Sequence, residues 1–139
     1  MNIYNRKLKT LTQETTYLEQ LTELGKANFG DKYHGTYPSD HIPKLEPHQC
    51  CILNLDKSTE PGSHWISLAR GGGKQCYMYD SFGRRGVTLI PALKWELPGK
   101  VIDSDRDSEQ GIMEVNCGAR CIAWLYVFYT KGVKRALEI

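Results

Sequence analysis

The sequence predicts an α+β fold in which a mixed or antiparallel sheet packs on one central, buried helix with a cysteine at its N-terminus. Three features predict it. From Cys121 to Tyr129 no residue is charged, and apart from Ala123 every side chain is bulky or carries sulfur. An element that is apolar on every side is normally a helix buried on all faces. The run is long for a strand, and Lys131-Gly132 follows it as a helix stop. Ahead of it lie short apolar runs with strand character, and ahead of those a leucine-rich amphipathic stretch.

Taken in order, Leu8, Leu11, Leu18, Leu21 and Leu24 recur at helical spacing, with Tyr17 adjoining. Thr10 stands before Gln13 in a capping-box arrangement, and Gly25 sits where a helix should stop. The expected helix runs from about Leu11 to Leu24. Asn28 to Pro47, rich in Gly, Pro, Asp and His, is expected to be a long loop. Its histidines, His34, His41 and the adjacent His48, lack a cysteine or carboxylate cluster and suggest surface residues rather than a metal site. Cys50–Leu55, His64–Arg70 and Gln75–Asp80 read as strands, the last two as a hairpin across Gly71-Gly72-Gly73. The glycine triplet lacks the Gly-Lys-Ser/Thr ending of a phosphate loop. Val87–Leu97 is open between a short helix and a strand because of Pro91 and Pro98, and Lys100–Asp103 reads as one more strand. Asp105 to Gln110 is a polar loop leading to the central helix.

With 139 residues, 40% apolar and 24% charged, the chain is expected to form a single domain, 1–139. A net charge of +2 gives no argument for nucleic acid. Basic groups at Arg6/Lys7/Lys9, Arg84/Arg85 and Lys131/Lys134/Arg135 are most simply solvated patches. No apolar run reaches the ~20 residues a membrane span requires. Met1 to Lys9 lacks the apolar core of a signal peptide. The five cysteines are odd in number and have no paired spacing for zinc, so reduced thiols in a cytosolic or nuclear setting are expected.

Cys117 is the residue of chemical interest. At the start of a helix, unsatisfied backbone N–H groups favour a thiolate and can stabilise an oxyanion. Asn116 and Gly118 on either side fit a tight turn that brings backbone close to a ligand. Thiol catalysis also needs a histidine to exchange the proton, a group to orient it, and oxyanion donors. His64 begins one strand and is followed by Trp65, while Asp80 ends the neighbouring strand, and Gln110 lies in the loop before Cys117. Each has a plainer reading: a strand-end histidine, a turn aspartate, a loop glutamine and a buried cysteine.

The order His64-Trp65, Tyr79-Asp80-Ser81-Phe82-Gly83, Gln110, Asn116-Cys117-Gly118 resembles that of the adenain-like, adenovirus-type maturation proteases and the related SUMO/ubiquitin-like-protein proteases. Leu21–Gly25, Gly35-Thr36-Tyr37, Cys50–Asn54 and Lys74–Tyr77 also look like the N-terminal half of the viral type, so that the likeness spans roughly Leu18 to Lys131.

The resemblance implies a papain-like cysteine protease core. Cys117 would be the nucleophile, His64 the base and then the acid, and Asp80 the orienting group. The viral type has glutamate at that last place and the SUMO type aspartate. Gln110 and the Cys117 backbone N–H would form the oxyanion hole. Trp65, with Asn116 and Gly118, would bound a narrow channel admitting glycine. The implied activity is cleavage after Gly, in Gly-Gly or Gly-X contexts, of capsid or core precursors during virion maturation. It would take place in the host cytoplasm or nucleus and in the virion, with no membrane partner. A deconjugase of a ubiquitin-like modifier and a catalytically idle binding module are the alternatives. No metal or cofactor is implied. The family's disulfide-tethered activating peptide has no matching cysteine between Phe82 and Asn116, and DNA activation is without support in the charge. The viral type continues well beyond the nucleophile helix, and nothing here matches that extension.

Overall fold

The computed structural model describes residues 3–11, 18–55, 64–97, 99–104 and 117–139. Five strands lie side by side in chain order: β1 (Tyr33–Tyr37), β2 (Cys50–Asn54), β3 (Trp65–Arg70), β4 (Cys76–Tyr79) and β5 (Val101–Asp103). The two inner pairings, β2/β3 and β3/β4, are antiparallel, and the two outer ones, β1/β2 and β4/β5, are parallel. The helices are α1 (Ile3–Thr10), α2 (Leu18–Phe29), α3 (Gly86–Leu89), α4 (Leu93–Glu96), α5 (Cys117–Lys131) and α6 (Val133–Leu137). The class is α+β with a mixed sheet.

Side chains alternate across a strand, so each strand feeds two cores. Cys50, Ile52, Trp65, Ala69 and Tyr79 pack with α1, α2 and α5 on one face. Cys51, Leu53, Ile66, Leu68, Cys76 and Met78 pack on the other with Leu45, Ile90, Leu93 and Leu97. Cover on both faces explains why Cys50 to Leu53 of β2 is an unbroken apolar run.

The apolar helix α5 lies against β3 with α1, α2 and α6 around it. The Ser67 hydroxyl donates to the Cys121 carbonyl at 3.1 Å, tying sheet to helix. Trp124 is fully buried, stacks on Tyr79 with ring centroids 5.7 Å apart, and donates from Nε1 to the Ala136 carbonyl at 2.8 Å. The helix ends where expected, at Gly132 with φ 91°.

The first helix departs from the expected Leu11–Leu24. Two helices share the leucines: Tyr4, Leu8 and Leu11 bury the α1 face, and Leu21, Gly25 and Phe29 the α2 face, while Leu18 is exposed. Thr10 ends α1 and its hydroxyl donates to the Lys7 carbonyl, so it is no N-cap, while Gln13 and Tyr17 lie outside the described residues. Gly25 does not stop α2. It is small because Tyr33 lies against it: a Cβ there would come within 2.4 Å of the ring. Gly25→Ala is therefore expected to destabilise by about 1–2 kcal/mol in urea unfolding, overpacking outweighing the ~1 kcal/mol of helix propensity gained.

The expected Asn28–Pro47 loop instead holds the end of α2, a 3₁₀ turn (Gly30–Lys32) and β1. Irregular pairing between Tyr33 and Gly35 breaks the alternation that would have marked the strand. His34 bonds Tyr37 Oη through Nδ1 at 2.6 Å, His41 adjoins Asp40, and His48 occupies a turn with φ 68°. Among the described residues no three His, Cys, Asp or Glu are grouped to hold a metal, and no helix is long and apolar enough to cross a membrane. Val87–Leu97 resolves into α3 and α4, with Pro91 between them.

Candidate active site

The β3/β4 register pairs Ser67 with Tyr79, which puts the start of one strand and the end of the other at the same end of the hairpin. His64 immediately precedes β3 and Asp80 immediately follows β4, and both are buried. His64 Nε2 lies 2.5 Å from Asp80 Oδ1. Phe82 packs against the imidazole with ring centroids 4.8 Å apart. Asp80 also opens a tight turn: the Gly83 N–H donates to its carbonyl at 2.8 Å, and Gly83 takes φ 71°, a conformation that favours glycine.

Cys117 is the first residue of α5 and is buried. Burial would push its thiol up. Hydrogen bonds from the His64 imidazole and from the backbone N–H groups of Trp65 and Gly118, together with the charge on His64, outweigh burial and hold the thiol below its ordinary value. His64 shows the converse. Burial would lower it, but the Asp80 hydrogen bond and the Cys117 contact raise it. Because Nε2 is engaged by Asp80, Nδ1 is the nitrogen left for sulfur. The carboxyl of Asp80 is held well below the usual carboxylate range: burial opposes this, but His64 and two donors from Arg84 prevail.

The other cysteines differ sharply. Cys50 is pushed up to about 12 and Cys76 to about 11, in each case mainly by burial. Burial also raises Cys51 and Cys121 well above the ordinary thiol value. A thiol shifted toward thiolate beside an imidazole shifted toward imidazolium can serve as a nucleophile and its proton donor.

The structure thus brings His64, Asp80 and Cys117 together from three separate segments. Trp65 reaches the sulfur through its backbone N–H, while its ring lies in the buried cluster on the α5 side of the sheet. Gly118 contributes its backbone N–H. Gln110 and Asn116 lie outside the described residues.

Two features escaped the sequence reading. Arg84, taken for a solvated cation, donates from Nε to Asp80 Oδ2 at 2.9 Å. Its spacing of four from Asp80 was the available signal. Arg6 from one basic group and Lys131 and Arg135 from another, read as separate patches, line a single cleft of about 360 Å³ with Ile3, Tyr4 and Val127.

No family model matches the chain, and no curated protein matches it significantly.

Proposed function

We propose that this chain is a cysteine endopeptidase with a papain-like core, of the adenain-like type, cleaving protein substrates after glycine. The observation that carries this reading is the convergence of Cys117, His64 and Asp80 with a depressed thiol and a raised imidazole. A cysteine buried only for packing has its thiol raised, as the other four do.

In this mechanism the Cys117 thiolate attacks the carbonyl carbon of the scissile peptide, forming a C–S bond and an oxyanion. The Cys117 backbone N–H and the Gln110 amide are the proposed donors to that oxyanion. The C–N bond then breaks as the His64 imidazolium gives its proton to the leaving amine. The neutral imidazole next takes a proton from water, whose oxygen attacks the thioester. Collapse releases the carboxylate product and restores thiolate and imidazolium. Asp80 stays ionised throughout and holds the ring by Nε2. Trp65, Asn116 and Gly118 are the proposed boundary of the glycine channel. The proposed substrates are capsid or core precursors matured in the host cytoplasm or nucleus and in the virion.

The test is cleavage of a fluorogenic peptide ending in Leu-x-Gly-Gly by wild type and Cys117→Ala, with and without DNA. Cleavage by wild type alone supports the reading, and cleavage by both proteins overturns it. No peptide cleavage, with cleavage of a ubiquitin-like conjugate, replaces it by the deconjugase. Gln110→Ala is expected to lower kcat by about 10²-fold with KM little changed, as for the loss of one oxyanion donor. A change mainly in KM would move Gln110 to substrate binding.

A further inference from the structure

Arg84 divides the Asp80 carboxylate between two partners. Its Nε and its own backbone N–H both donate to Oδ2, each at 2.9 Å. His64 Nε2 takes Oδ1 at 2.5 Å, and Arg84 Nη2 approaches that oxygen only at 3.4 Å. Two donors on one oxygen hold the carboxylate against turning about its Cβ–Cγ bond, and without the guanidinium only the backbone N–H remains. The same guanidinium lies 5.1 Å from the centroid of Phe82, the ring that packs against His64. Arg84 therefore bears on the imidazole by two routes, through the carboxylate at its edge and through the phenyl ring beside it.

We propose that Arg84 is a positioning residue for the Cys117–His64 pair, fixing the Asp80 carboxylate so that Oδ1 stays on the imidazole Nε2–H. This rests on the protease reading, which gives the pair its task. A planar guanidinium suits this role and an ammonium does not, because the fork fixes direction as well as charge. Among the described residues, the charged and titratable groups that bear on Asp80 include His64 from the start of β3, Cys121 from α5, and Arg84 from its own turn.

Arg84 carries part of its side chain in solvent, so its replacement leaves the core intact. The experiment compares wild type, Arg84→Ala, Arg84→Lys, Asp80→Asn and the Asp80→Asn/Arg84→Ala double variant. The readout is the pH dependence of Cys117 alkylation by iodoacetamide, with Cys117→Ala as blank. Alkylation reads the thiolate whether or not any peptide is cut, so failure of the protease reading leaves this measurement standing.

With the carboxylate loosened, the imidazole holds its proton less firmly and the thiolate forms at higher pH. Arg84→Ala and Arg84→Lys are both expected to move the acid limb up by about half a pH unit. Where peptide is cut, kcat should fall about tenfold with KM within about twofold. In the Asp80→Asn background Arg84→Ala should move the limb no further, because the effect passes through Asp80. Three results would each overturn the proposal. One is a limb in Arg84→Ala within about 0.2 unit of wild type. Another is Arg84→Lys matching wild type, which reduces the role to charge. The last is an undiminished shift in the Asp80→Asn background.

Discussion

Cys117→Ala is expected to abolish peptide cleavage while the protein remains folded. Loss of a nucleophile acting as a unit with its base typically costs about 10⁶ in kcat. The structural cost is small: one buried sulfur is lost from the start of α5, worth about 1 kcal/mol. Far-UV circular dichroism and a fluorogenic assay on the same sample separate the two effects. The pH dependence follows from the pairing. The proposed catalysis needs thiolate and imidazolium together, and the lowering of the thiol and the raising of the imidazole both widen the pH window in which they coexist. Below that window the thiolate is protonated, and above it His64 has no proton for the leaving amine. In His64→Ala the imidazole no longer opposes burial, and the backbone N–H groups of Trp65 and Gly118 are left to lower the thiol. Alkylation of Cys117 at neutral pH should then slow, and its limb should move above about 8.5, the value of a free thiol. A limb that stays in place would mean that the helix start and the Trp65 and Gly118 N–H groups hold the thiolate without the imidazole.

Trp124→Ala is expected to cost the fold most. The side chain is fully buried in α5, stacked on Tyr79 and packed near Phe128. Truncation leaves a cavity in the core that joins sheet and helices, and takes the donor from the Ala136 carbonyl. Losses of this kind run to about 3–5 kcal/mol, which lowers Tm by roughly 10–20 °C at this size. Trp124→Phe restores most of the volume but not the donor, and should cost about 1–2 kcal/mol. If alanine cost no more than phenylalanine, packing around α5 would not be the main support of the fold. Tyr79 directly precedes Asp80, so slackening at Trp124 should also weaken cleavage before the protein melts.

The parts legible in the sequence were those where local signal and tertiary role agree. α5 announced itself because an element covered on all sides has no polar face to disguise it. The β3/β4 hairpin was readable from the glycine turn, and with it the meeting of His64 and Asp80, since an antiparallel register fixes which ends are neighbours. The errors share a cause, local signals made ambiguous by tertiary demand. Thr10 and Gln13 copy a capping box, yet Thr10 closes a helix. Gly25 copies a helix stop, yet it is small to admit Tyr33. β1 was hidden by its irregular pairing and by glycine and histidine of loop-like composition. Arg84 was hidden because its one signal, a spacing of four from Asp80, says nothing of the burial of the carboxylate it grips.

The covering of β2, β3 and β4 by α5 bears on when activity can arise during synthesis. A ribosome makes β1 to β5, and both His64 and Asp80, before it reaches the helix that, with α1 and α2, buries Cys50, Ile52, Trp65, Ala69 and Tyr79. Until that helix emerges, this face of the sheet lacks the element on which α1 and α2 themselves pack. The Cys117 sulfur arrives with the same helix that covers this face of the sheet. Until α5 is made, therefore, His64 and Asp80 have no Cys117 beside them, and the proposed site cannot act.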